Sequence, residues 1–240
     1  YGSALMRALE FEREEMAFAL LDAGSAVPDH ALGLAARGGL DRFVTLLLDR
    51  GMSPDGGDSW GYTPLHSAAK YNHVSTIELL LKRGAKPSVN ATNDGFTPLH
   101  LAVIDRRLEA VKILIATKAD LEARDDRGRT ALHWGPFAYA PQPKHMYAKL
   151  GEPHDTVWVD PGPAVVIEML LDAGAKIDAR DKGGNTPLHA ATNIGSVRGV
   201  EMLLKRGADK NAVNDKGQKP IFHAKRRGDD DIKEMIEKVR

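Results

Sequence analysis

Asp58-Ser59-Trp60-Gly61-Tyr62-Thr63-Pro64-Leu65-His66-Ser67-Ala68-Ala69 decides how this chain folds. Its tetrapeptide Thr63-Pro64-Leu65-His66 returns as Thr97-Pro98-Leu99-His100, Thr130-Ala131-Leu132-His133 and Thr186-Pro187-Leu188-His189. A degenerate copy follows at Lys219-Pro220-Ile221-Phe222. The steps between copies are 34, 33, 56 and 33 residues. A fixed period near 33 marks a stacked array, in which each unit buries its apolar face on its neighbours. Stacked arrays build long binding surfaces far more often than catalytic pockets.

The quoted segment runs on through Lys70-Tyr71-Asn72-His73-Val74 to Ile77-Glu78-Leu79-Leu80-Leu81-Lys82-Arg83-Gly84-Ala85. Thr63 is a good N-cap, and Pro64 takes the first helical position, where its missing N–H costs nothing. Leu65, Ala68 and Ala69 form one buried face, with alanines small enough to let a neighbouring helix approach. Asn72-His73 ends that helix and starts a second, whose stripe is Ile77, Leu80 and Leu81. Gly84 falls where a left-handed residue closes the second helix. Asp58 and Gly61 shape the turn to the next unit. Gly24, Gly51, Gly174 and Gly207 repeat the Gly84 position, but Lys118 replaces it once, which predicts strain at that corner.

This grammar resembles the ankyrin repeat, a β-turn followed by two antiparallel helices, over nearly the whole chain. The resemblance implies an all-α ankyrin-repeat solenoid with short β-hairpin-like turns, residues 1–240 forming one domain. Seven units are expected at about 3–29, 30–57, 58–91, 92–124, 125–180, 181–213 and 214–240. The first two lack the tetrapeptide, although Leu32, Ala35 and Ala36 align with Leu65, Ala68 and Ala69. The charged run from Lys225 to Arg240 suits a solvated terminal cap. The resemblance also makes His66, His100, His133 and His189 structural, hydrogen-bonded within and between repeats.

Unit five is 23 residues too long, and the excess lies within about 136–163, where Pro136 interrupts a helix that resumes near Ala164. Pro141, Pro143, Pro153, Pro161 and Pro163 exclude a regular helix through it. Tyr139, Tyr147 and Trp158 suggest that it packs on something, and Thr156-Val157-Trp158-Val159 suits a short extended stretch. It reads as a structured cover over the repeat edge or as a recognition loop. His145, His154 and Asp155 within it raise a ligand- or metal-binding alternative, but their spacing matches no standard zinc site. Surface histidines in a polar loop explain them as well.

Lys plus Arg and Asp plus Glu number 33 each, so no net charge points to nucleic acid or to an anionic membrane. No apolar run is long enough to span a bilayer. The absence of cysteine excludes disulfides, thiolate metal sites and cysteine nucleophiles. No secretory segment opens the chain, so a cytoplasmic or nuclear location is expected. It begins Tyr1-Gly2-Ser3 rather than with Met, which reads as a piece of something longer. No nucleophile context or phosphate loop occurs, and acidic residues read as solvated helix faces. No catalysis, cofactor or metal is therefore expected.

In ankyrin proteins the partner sits on the concave side, touching turn tips and the exposed face of the first helices. Carried over by position, this selects Trp60, Tyr62, Lys70 and Tyr71 in unit three, and Phe96, Ile104 and Asp105 in unit four. Arg127 and Arg129 follow in unit five, then Lys182 and Asn185 in unit six. Exposed aromatics at such places suit an interface. The reading is a bipartite groove on a monomeric array, with an apolar anchor near units three and four and a cationic extension toward the C-terminus. Another protein or peptide is the expected partner. An alternative makes the array the targeting or regulatory module of a larger enzyme, channel or receptor. Asn211, in Leu203-Leu204-Lys205-Arg206-Gly207-Ala208-Asp209-Lys210-Asn211, also resembles the target of asparaginyl hydroxylases in some ankyrin proteins.

Overall fold

A computed structural model describes residues 4–88, 94–138 and 162–239. Within them the chain forms two rows of helices. The first row is α1 (Ala4–Glu10), α3 (Ala31–Arg37), α5 (Pro64–Tyr71), α7 (Pro98–Ile104), α9 (Ala131–Trp134), α11 (Pro187–Ile194) and α13 (Pro220–Arg227). The second row is α2 (Glu14–Asp22), α4 (Asp41–Asp49), α6 (Val74–Lys82), α8 (Leu108–Ala116), α10 (Gly162–Asp172), α12 (Val197–Lys205) and α14 (Asp230–Lys238). Each helix packs on its neighbour in the same row, so the core is continuous along the array. Leu5, Leu32, Leu65, Leu99, Leu132 and Leu188 line the first row, fully buried. Each such leucine contributes about 1.5–3 kcal/mol relative to exposure.

The tetrapeptide works as a capping device. The Thr63 backbone N–H donates to His66 Nδ1 at 3.0 Å, closing a capping box at the start of α5. The other side of the same ring, Nε2, lies 2.9 Å from the Phe96 carbonyl in the next unit. His100 reaches Arg129 O at 3.1 Å, His133 reaches Asn185 O at 3.1 Å, and His189 reaches Gln218 O at 3.0 Å. Each histidine thus caps its own helix and ties it to the next unit, as the resemblance implied. At the degenerate fifth copy Phe222 replaces histidine, and α13 has proline at its start but no capping box.

The turns are hairpin-like, although no strand forms among the described residues. Asp58 N–H donates to Tyr62 O, Asp125 to Arg129 O, Asp181 to Asn185 O, and Asn214 to Gln218 O. The Asx side chain at the head of each turn accepts two backbone N–H groups, as Asp125 Oδ1 does from Arg127 and Arg129 at 2.8 and 2.9 Å. Adjacent turns then pair: Asp126 N–H to Asp94 O, Lys182 to Arg127 O, Asp215 to Gly183 O. Gly128 shows why the turn needs glycine twice over. Its φ is +76°, and a Cβ there would lie 2.9 Å from Lys182 N.

The insertion does not break the stack. Arg124 to Arg180 O and Lys176 N–H to Glu122 Oε1 join units four and five, and Lys182 N–H to Arg127 O joins five and six, across 54 to 56 positions as pairs about 33 apart do elsewhere. As expected, α9 is cut short, ending at Trp134 and passing into a 3-10 turn over Gly135–Ala138. The second-row helix resumes at Gly162, with Val166, Ile167 and Leu170 buried and Leu171 half-buried. The extended stretch at 156–159, the aromatics Tyr139, Tyr147 and Trp158, and the His145, His154, Asp155 group lie outside the described residues.

The second-row helices close on positive φ at Gly24, Gly51, Gly84, Gly174 and Gly207, and on Lys118 at φ +61°. A side chain in this region costs about 1 kcal/mol relative to glycine. Lys118→Gly is therefore expected to raise stability by roughly 1 kcal/mol, read from the urea midpoint. A loss of stability would show that the Lys118 side chain contributes more than its backbone costs.

Candidate protein-interaction surface

The candidate residues fall on two edges of the first helix row, separated by the length of one helix. At the turn edge, Trp60 is 60% exposed at the tip of its turn. Its neighbours are drawn into the array. Tyr62 is half-buried, donates its hydroxyl to Asp94 and sets its ring edge-on to His66 at 5.5 Å between centroids. Burial and the Asp94 bond push the Tyr62 hydroxyl pKa up, so it stays a donor. Phe96 is half-buried, 5.4 Å from the Trp134 ring and 5.8 Å from His100. The expectation that Tyr62 and Phe96 stand out with Trp60 is corrected: the next unit supplies a partner for each.

Arg129 is corrected too, here by partners within its own unit. Its Nε donates to Asp125 Oδ2 at 2.9 Å, and its guanidinium stacks over Trp134 at 3.8 Å from the ring centroid. Trp134 Nε1 donates to the same oxygen at 3.0 Å. Asp125, with its side chain 1% exposed, thus accepts four N–H groups. Burial pushes its carboxyl up, but the Arg129 N–H, the Arg129 charge, the indole N–H and the Arg127 N–H outweigh this and hold it below the ordinary carboxylate range. The reading of acidic residues as solvated faces does not hold for this one. Asn185 is likewise engaged, donating to Asp181 and accepting from Asn214 Nδ2 at 2.8 Å.

Beside this cluster lies an open cavity of about 360 Å³, floored by Phe96 and Trp134 and rimmed by Asp94, Asp126 and Arg127. Arg127 and Lys182 are exposed at their turn tips. With Arg129 turned inward and Asp94, Asp126 and Asp215 at neighbouring tips, this edge carries mixed charge. The expected cationic extension is corrected to that extent. Arg226 and Arg227 are also committed, both to Asn193 at 2.9 and 3.3 Å.

The opposite edge, at the C-termini of the first-row helices, carries Lys70 and Tyr71 on α5, Ile104 at the end of α7 and Asp105 just after it. Lys70 is exposed, Tyr71 is 43% exposed, and Ile104 and Asp105 are half-buried. Arg37, at the end of α3, points its guanidinium to within 5.8 Å of the Tyr71 centroid, and Lys70 Nζ lies at 6.0 Å. Arg37, Asp125 and Trp134 were not among the residues chosen from the sequence. Trp134 had a signal: it stands four places after the unit's threonine, where other copies carry Ser67, Leu101 and Ala190.

Sequence profiles for ankyrin repeats match this chain over most of its length, "Ankyrin repeats (3 copies)" over residues 5–91 and 162–239 and "Ankyrin repeats (many copies)" over 80–133. The chain belongs to the ankyrin-repeat family. It is 34% identical over 151 residues to palmitoyltransferase AKR1 of Lachancea kluyveri, covering 61% of this chain and 17% of that protein. It is 32% identical over 155 residues to the mouse nuclear factor NF-kappa-B p105 subunit, covering 63% of this chain and 14% of that protein. The chain thus spans less than a fifth of the length of either relative. The human ASB11 ankyrin repeat domain superposes with a TM-score of 0.76 at 21% identity, covering 100% of this chain and 98% of that one, which shows the shared fold. Ankyrin repeats generally mediate protein–protein interaction, and the ankyrin-repeat domain is a non-catalytic fold. Among the described residues no group of three or more His, Asp or Glu could hold a metal, and no helix is long and apolar enough to cross a membrane.

Proposed function

We propose that this ankyrin array recognises a partner polypeptide laid across the concave face of its first-row helices, between the turn tips and the helix C-termini. The observation that carries this is the placement of Trp60 and Tyr71 at the two ends of α5. Both rings face water across units whose other aromatics are packed. Buried aromatic anchors dominate the energy of most interfaces, and an isolated globular surface rarely leaves two on one helix's flanks. The Phe96–Trp134 cavity, on the turn edge at units four and five, offers room for one apolar side chain.

Trp60→Ala with Tyr71→Ala is the appropriate test, because Phe96 also packs against the stack. The double variant is expected to lose about 2 kcal/mol or more of partner binding, some thirtyfold in Kd, with an unchanged far-UV spectrum. Unchanged affinity in the folded double variant would remove this face from the binding site. A second reading makes the array a targeting or regulatory module of a longer protein, favoured by the small fraction of each relative that it spans. The two readings share the same surface.

A further inference from the structure

Arg37 and Lys70 hold positions where a cation ordinarily serves its own helix. A lysine or arginine in the last turn complements the unpaired carbonyls and the negative end of the helix. Here the next unit does part of that work. His73 Nε2 lies 2.8 Å from Arg37 O, capping the end of α3. Arg107 Nε donates to Lys70 O at 2.8 Å, capping the end of α5. Neither side chain has an ion-pair partner among the described residues. Both are exposed, and both lie within about 6 Å of the Tyr71 centroid. The acidic groups nearby are the exposed Glu10 at the end of α1, in the register of Arg37 and Lys70, Glu12, whose Cγ lies against Gly38, and the half-buried Asp105 one unit on. Arg106 and Arg107 flank Asp105, so the positive charge of this edge is local, centred on Arg37 and Lys70 at the Tyr71 ring.

We infer that this edge receives an acidic segment of the partner, with aspartate or glutamate side chains bridging Arg37 and Lys70 over the Tyr71 ring. This rests on the concave-face reading and specifies the chemistry of its ligand. Two unpaired cations held close together at a partly desolvated ring attract carboxylates more strongly than isolated surface lysines do. The geometry also sets a spacing. α5 has eight residues, about 12 Å of rise, and Trp60 lies beyond its start at the turn tip, so the two edges are at least that far apart. An extended peptide covers about 12 Å in about four residues. The ligand therefore carries an apolar residue for the Trp60 and Phe96 side at least about four positions from its acidic residues.

The test begins with a phage-displayed library of random peptides about twelve residues long, panned on the intact chain in low salt. The enriched peptides are expected to be net negative and to pair an apolar residue with acids about four or more positions away. The best of them, synthesised with a fluorescent label, then serves as the probe in anisotropy titrations. Arg37→Glu with Lys70→Glu, both exposed, is expected to weaken binding at least tenfold, and Arg37→Gln with Lys70→Gln less so. Exchanging the peptide's acids for lysine should restore binding to the charge-reversed variant. Affinity for the native chain should fall steeply from 50 to 500 mM salt, roughly, as screening predicts. Failure to enrich acidic peptides, or a charge-reversed chain that binds within twofold of the native one, overturns the inference. Trp60→Ala separates the two levels. If it weakens the probe while charge reversal does not, the concave-face reading stands and the acidic ligand falls. If neither change matters, both fall.

Discussion

Asp125→Ala is expected to lower the stability of the array by about 3 kcal/mol. The carboxylate is almost wholly buried and accepts from Arg127 N, Arg129 N, Arg129 Nε and Trp134 Nε1. Removing it leaves a guanidinium with only 15% of its side chain exposed and an indole N–H, both without an acceptor, and opens the turn between units four and five. Breaking one side of a buried pair costs about 3–5 kcal/mol, and the lower end applies where part of the site touches water. Urea unfolding measures it, with the exposed neighbour Asp126→Ala as the reference, expected to change stability by less than about 0.5 kcal/mol. Equal losses at the two positions would show that the Asp125 network contributes nothing beyond an ordinary turn. The carboxyl is held below its ordinary range, so this stabilisation is complete above about pH 4. It is lost as the pH falls through the depressed folded value.

A second large effect comes from the histidine ladder. Burial pushes His100 down to about 4, and burial lowers His133 and His189 as well. The geometry agrees, since each Nδ1 faces a donating threonine N–H and has no room for a proton of its own. These groups stay neutral in the folded array and take up protons on unfolding. Their contribution is therefore present above about pH 6.5 and disappears as the pH falls from there toward 4. For His100 alone the loss over that interval approaches 3 kcal/mol at about 1.4 kcal/mol per unit. Urea midpoints between pH 7.5 and 4.5 should show a steep fall, in a window above that of the carboxylates. His100→Gln keeps a donor and an acceptor but cannot charge, so it should flatten the slope by about one proton. A slope identical to that of the native chain would contradict the assignment.

How far the site was legible in the sequence depends on which contacts set it. Trp60, Lys70, Tyr71, Arg127 and Lys182 are exposed at the places the repeat register indicates. Tyr62, Phe96, Arg129 and Asn185 all stand one place before their unit's threonine, and all four turn into the array. The following unit sets what each meets there: Asp94 opposite Tyr62, Trp134 beside Phe96, Asn214 opposite Asn185. Arg129 is claimed within its own turn by Asp125, once Trp134 covers the pair. Arg37 stands at the Lys70 position by the alignment of Leu32, Ala35 and Ala36, so its place was legible although its unit lacks the tetrapeptide.

The sequence by itself determined the repeat, its period, the caps, the glycine corners and the site of the insertion. These follow from rules that act within about ten residues, such as a threonine before a proline, a left-handed residue after a helix, or leucine at helical spacing. Seven imperfect copies repeat them until the pattern is plain. Only the tertiary structure decided which side chains remain available to a partner. That choice is made by hydrogen bonds and ring contacts between residues about thirty positions apart, or more than fifty across the insertion. Which bond or ring contact holds a tyrosine or an arginine turned inward depends on the polar or aromatic atom that its surroundings place beside it.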